Sequence, residues 1–236
     1  MVQAYSTGPV RIRIGPVSFQ SRFEPVRDAA ADEASIDAIL AKLDAGDLQE
    51  AARLSELALG SGLEHPAPLC VMAMAHEFSW RFAEAVPYLK RALALMPADS
   101  SMMAALARCQ LGLEQPADAL AVLETALELA PSYANAHAYK GQALGRLGRR
   151  SEEEESYIRA LELDPPNLTA KSGLASLHSH FGEHRKARAL AQEVLEEAPN
   201  SESPALVVAM ADLAEGSPAA AEARIRGLIA AQGPSP

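Results

Sequence analysis

His178, His180 and His184 form the densest group of imidazoles in the sequence and invite a metal site. Imidazoles hold zinc or a similar ion when three or four donors converge on one point. Here the spacing works against convergence. Two residues two apart on a helix face different directions, and Gly182 separates His184 from the other pair. Cys70 and Cys109 are the only cysteines and lie far upstream. Nucleophilic chemistry has no better footing: no GxSxG elbow, HExxH pair or phosphate-cradling glycine loop occurs, and no nucleophile stands beside a base. The carboxylates at 152–155 read as the solvated acidic start of a helix, favoured by the helix dipole. The sequence Asn167, Leu168, Thr169 matches a glycosylation sequon, idle in a chain without a signal peptide. The expectation is no metal, no cofactor and no catalysis.

The elements that carry these residues announce themselves through period. Pro97, Pro131, Pro165 and Pro199 are separated by three gaps of 34 residues, and a fixed period of that size marks a solenoid of stacked units. Six windows follow: 32–65, 66–99, 100–133, 134–167, 168–201 and 202–235. Their eighth positions are Ile39, Ala73, Ala107, Gly141, Ala175 and Ala209, and their twentieth are Ala51, Ala85, Ala119, Glu153, Ala187 and Ala221. Small residues at both places let two helices approach closely. Gly46, Gly148, Gly182 and Gly216 at position fifteen end the first helix of a unit, and Asp99, Ser132, Asn167 and Asn200 after the prolines suit the N-cap of the next. The predicted helices are 33–44, 48–60, 67–79, 82–95, 101–112, 116–129, 135–147, 150–163, 169–181, 184–197, 203–214 and 218–231. Glu153 conflicts with this scheme, because a buried carboxylate is costly unless paired; Arg149, Arg150 and Lys140 are candidate partners, and a later helix start is the simpler expectation.

With Gly141, Gly148, Tyr157, Ala160 and Pro165 in phase in window 134–167, and alanines at 85, 119, 187 and 221 extending the pattern, the chain resembles the tetratricopeptide repeat (TPR) family over about residues 32–232. The resemblance implies an all-α fold: a right-handed superhelix, or α-solenoid, of about six helix-turn-helix units. Its first helices would line a concave peptide-binding face at positions two, five, nine, twelve and thirteen. Carried over, those positions make Cys70, Met74, Phe78, Arg108, Asn135, Gln142, Arg146, Ser176, His180 and Met210 the expected groove residues. The groove then reads apolar at both ends and polar in the middle, with Arg108 and Arg146 placed to meet acidic side chains of a ligand or to pair within the array, Arg146 with Glu114. The co-chaperone branch uses Lys at position five and Asn at nine to clamp a terminal carboxylate. Here those places hold Cys70 and Met74, Ala104 and Arg108, Ala138 and Gln142, so the clamp is absent. Trp80, the single tryptophan, stands at position fifteen where glycine is usual, as an interface anchor or packed on the adjacent turn; Phe82 is the expected core aromatic.

The array is expected over 31–232, between an extended basic arm at 1–30 and a tail at 233–236. In the leader, Val10, Ile12 and Ile14 alternate with Arg11 and Arg13, which suits a short non-helical strand or hairpin. Residues 1–28 carry four arginines against Glu24 and Asp28, whereas the whole chain has net charge −10. So acidic an array repels nucleic acid and anionic membranes and attracts basic segments, its own leader included. No run is apolar and long enough to span a membrane, and two cysteines are too few for a disulfide framework, so a reducing cytoplasm is expected. The excess of arginine over lysine, with abundant alanine, associates with a bacterial source. The expected role is a non-enzymatic protein-protein interaction scaffold, adaptor or chaperone-like, holding a peptide or helix of a partner protein. The alternatives are the docking or regulatory region of a longer enzyme, for example sulfotransferase-like, and a self-assembling homo-oligomeric scaffold.

Overall fold

The computed structural model describes residues 29–232. The expected basic arm, up to residue 28, and the tail at 233–236 lie outside the described residues. Twelve helices and no strand fill the rest: α1 (Ala29–Asp44), α2 (Leu48–Gly60), α3 (Pro66–Phe78), α4 (Phe82–Leu95), α5 (Ser100–Gly112), α6 (Pro116–Leu129), α7 (Ala134–Arg146), α8 (Arg150–Leu163), α9 (Leu168–His180), α10 (His184–Glu197), α11 (Glu202–Ala214) and α12 (Pro218–Gln232). Consecutive helices form six hairpins. Each second helix also packs on the first helix of the next hairpin, and α5, α7, α9 and α11 touch in succession. First helices therefore line one face of the superhelix and second helices the other.

The hairpins close where side chains are small. Ala51, Ala85, Ala119 and Ala187 are fully buried, and so are Ala107 and Ala175 on the facing helices. The fourth hairpin solves the same problem with glycine. Tyr157 of α8 is 2% exposed, and its ring occupies the space that a side chain would need at both Gly141 on α7 and Gly173 on α9. Burial, with the Glu153 carboxylate adding to it, raises the Tyr157 hydroxyl above its ordinary pKa.

Glu153 corrects an expectation. α8 does not start late: it runs from Arg150, and Glu153 sits at the hairpin crossing with 6% exposure. Two features accommodate it. Arg150 Nη1 donates to Glu153 Oε2 at 2.7 Å, and Gly145 opposite has no side chain, since a Cβ there would lie 2.5 Å from Glu153 Oε1. The charge is paired and the volume is vacated by its neighbour.

The turns show a second adjustment. Gly46, Gly148, Gly182 and Gly216 take left-handed φ of 74°, 75°, 76° and 75°. Trp80 and Glu114 occupy the same turn position with φ of 57° and 56°, a conformation that costs an L-residue about 1–2 kcal/mol. The caps also differ in phase from the expected set. Asp99 and Asn167 cap α5 and α9 by accepting from Met102 N and Ala170 N. The cap always falls two residues after the period proline, so it is Tyr133 for α7 and Ser201 for α11, neither with a side-chain cap bond. Ser132 and Asn200 stand one residue too early.

Gly173→Ala is expected to lower stability by about 1–3 kcal/mol, because overpacking against a fixed ring outweighs the propensity gain. A thermal melt measures the loss, and combining it with Tyr157→Leu should cost less than the two changes summed.

Candidate functional site

Along the first helices, two open troughs run into each other. One, of about 440 Å³, lies among α7, α8 and α9 and is lined by Gln142, Arg146, Arg150, Glu153 and Ser172. The other, of about 510 Å³, lies between α9 and α11 and is lined by His180, Leu206, Val207 and Met210. Ser176 and Ser203 belong to both, and their hydroxyls are 3.3 Å apart. The surface changes from polar to apolar along this line.

The groove arginines are already engaged. Arg108 of α5 forms an ion pair with Glu77 of α3, donates to the Tyr139 hydroxyl of α7 at 3.3 Å and lies 5.8 Å from the centre of that ring. It thus spans three first helices. Arg146 donates to the Leu111 carbonyl and pairs with Glu114 Oε1 at 3.0 Å. Glu77 is largely covered, at 15% exposure, whereas Glu114 is 80% exposed. The second pair is therefore heavily screened and weak.

Charge is divided between the faces. α5, α7 and α9 carry Arg108, Lys140, Arg146 and Lys171 and no acidic residue, while α6 carries Asp118, Glu124 and Glu128 and α8 carries five glutamates against two arginines. The excess negative charge of the middle hairpins sits on the outer helices. The first helices there carry no carboxylate of their own, and Arg108, Arg146 and Lys171 are paired with Glu77, Glu114 and Glu193 from other segments.

The other expected groove residues fall as follows. Cys70 and Met74 are half-buried on α3, and Phe78 is exposed at its end. Asn135 Oδ1 accepts from Asn167 Nδ2 at 2.8 Å, tying α7 to the cap of α9. Met210 Sδ lies 3.9 Å from the Ser179 hydroxyl. His180 stacks edge-on against Phe181. Trp80 is 82% exposed, with its indole edge-on to Phe82 at 5.8 Å, and Phe82 is half-buried against the core. Gln142, Arg146, Ser176, His180 and Met210 come together along the joined troughs, whereas Cys70, Met74 and Phe78 stand apart on α3. Positional reasoning missed Arg150, Glu153 and Tyr157, which belong to an outer-face helix. They reach the trough only because Gly145 and Gly173 lack side chains, and that pair of glycines was the available signal.

Among the described residues, no three His, Cys, Asp or Glu side chains converge as a metal site. His178 Nδ1 instead lies 2.7 Å from Glu183 Oε2. Both cysteines are free. Cys109 is fully buried, and burial first, with Glu77 next, pushes its thiol up to about 12. No helix among the described residues is long and apolar enough to cross a membrane.

Stacked α-hairpins with an open groove and small residues at every crossing define a helical-repeat protein. The chain belongs to the tetratricopeptide repeat family: two family profiles match residues 81–151 and 140–202, together just over half of its length. A stretch of 95 residues is 34% identical to the Hsp70-Hsp90 organizing protein of Triticum aestivum, covering 40% of this chain and 16% of that relative. The chain therefore spans only a small part of the curated relative it matches. Among solved structures, a thermophilic TPR protein of Thermus thermophilus superimposes with TM-score 0.62 at 24% identity, over 77% of this chain and 99% of that one. PilW, a type IV pilus biogenesis factor, gives 0.68 at 20% identity over 88% and 96%, and a MamA fragment of Desulfovibrio magneticus gives 0.58 at 22% over 72% and 97%. These structures share the fold.

In a Cys70→Ser variant at pH 8, Ellman's reagent is expected to leave Cys109 untouched until denaturant opens the array. Rapid labelling of the native protein would contradict its buried, protonated state.

Proposed function

We propose that this chain is a non-enzymatic protein-binding module that holds a peptide or helical segment of a partner in the joined troughs of α7, α9 and α11. The observation that carries this reading is the continuous polar-to-apolar surface shared through Ser176 and Ser203. Family membership supports it, since stacked repeats of this kind offer extended concave binding surfaces. The likeness of one stretch to the wheat Hsp70-Hsp90 organizing protein points the same way.

The geometry suggests the chemistry of the ligand. Large apolar side chains would lie against Leu206 and Met210, whose exposed surface gains from being covered. Gln142 and Ser172 would serve backbone groups or polar side chains. An acidic side chain would compete with exposed Glu114 for Arg146, at little cost because the resident pair is weak. Arg108 is bound to a covered glutamate and to Tyr139, so its role is to hold the groove in shape. The sought partner is an acidic segment with a nearby large apolar residue, and the missing Lys and Asn of the co-chaperone clamp separate it from a carboxylate-terminal tail.

Selection from a displayed peptide library against the full chain tests this. Sequences pairing Asp or Glu with a large apolar residue should be enriched. Leu206→Glu combined with Met210→Glu should weaken the best ligand at least about tenfold, or 1.4 kcal/mol, by calorimetry with circular dichroism unchanged. Equal affinity in that variant would remove the groove from the mechanism.

A further inference from the structure

The two ends of the array carry matching halves of the joint that links its units. Position twenty-four of the first five units holds Ser55, Leu89, Leu123, Tyr157 and Ala191, all buried. Position twenty-eight holds Leu59, Leu93, Leu127, Leu161 and Leu195, all half-buried. In the sixth unit the equivalents are Ile225 and Ile229, exposed by 37% and 65%. α12 therefore presents on its outer side residues at the positions that α4, α6, α8 and α10 set against the next hairpin.

The receiving side recurs too. Leu89 clusters with Leu106 and Cys109, Leu123 with Ala136 and Ala143, and Tyr157 with Ala170, Leu174 and Leu177. These are positions three, seven and ten of the following first helix. In the first unit those positions are Ala34, Ala38 and Ala41, all exposed. Ala34 and Ala38 also border an open hollow of about 380 Å³ between α1 and α2, with Leu54 and Leu57 on its far wall. One end thus offers an isoleucine ridge and the other a recess floored by alanine. Charge agrees in sign: α1 carries Asp32, Glu33, Asp37 and Asp44 against Lys42, and α12 carries Arg224 and Arg226, paired within the chain with Asp212 and Glu222.

We infer that the outer face of α12 docks on the α1–α2 end of a second copy of this chain, so that the protein associates head to tail and continues its own superhelix. The contact is heterologous: a different surface comes from each copy, and it propagates unless the geometry closes a ring. It leaves the concave groove open, so it stands apart from peptide binding.

Sedimentation of the full chain across a broad concentration range tests the inference. The weight-average mass should rise with concentration. Ile229→Glu on α12 and Ala38→Glu on α1 alter exposed positions, so both variants should fold, and each should weaken association at least about tenfold. Mixing the two variants is decisive, because one keeps an intact α1 end and the other an intact α12 end. The mixture should form a one-to-one dimer and nothing larger. A constant monomer mass in the unaltered chain would overturn the inference and give the α12 face to another occupant, such as residues 1–28 or a different protein. Loss of association in Ile229→Glu but not in Ala38→Glu would overturn it in favour of a symmetric α12–α12 contact.

Discussion

Two helices of a hairpin approach only as closely as the bulkiest side chain at their crossing permits. In this chain that limit is set by alanine at nearly every crossing, and the superhelix is the accumulated result. Where a larger residue intrudes, something opposite gives way. Ile39 is fully buried against Ala51 in the first hairpin. Glu153 is buried opposite Gly145 and paired with Arg150. Tyr157 fills room left by glycines on two neighbouring helices. Volume is conserved across each crossing rather than at each position, which is how a degenerate repeat keeps a regular fold.

The exchange at the fourth hairpin shapes the groove as well. Because Gly145 and Gly173 have no side chains, groups from the outer-face helix α8 reach through to the concave side. The polar trough is thus a by-product of packing around one buried carboxylate and one buried phenol. Arg108 works in the other direction. It joins α3, α5 and α7 across the groove surface, tying first helices together where no second helix intervenes.

The period of the prolines and the small residues at the crossings made the architecture readable from the sequence. Helix limits fall close to those expected, because left-handed glycines and capping residues mark them. α1 is the exception: it is already helical at Ala29, the first described residue, four residues before the expected start. The caps were misplaced by one residue at Ser132 and Asn200, since residue type was weighed above distance from the proline. The burial of Glu153 was misjudged, although α8 starts at the predicted residue 150, because a carboxylate at a crossing looks prohibitive until its partner and its vacated volume are seen. The groove was harder to read. Positions gave the side chains that first helices present, but not which would be occupied by neighbours. Nor did net charge reveal that the acidic residues of the middle hairpins gather on the outer helices, while α5, α7 and α9 carry none.

Trp80 is the single tryptophan, and it sits in the left-handed turn of the second hairpin against Phe82. In a linear array each unit senses only its neighbours, and melting can begin at one end and stop partway. With the indole 82% exposed, its emission colour is already that of a water-facing tryptophan. The local signal is therefore the indole's rotational freedom, held in the folded turn against Phe82 and released when that turn near the amino-terminal third opens, whatever the helices beyond are doing.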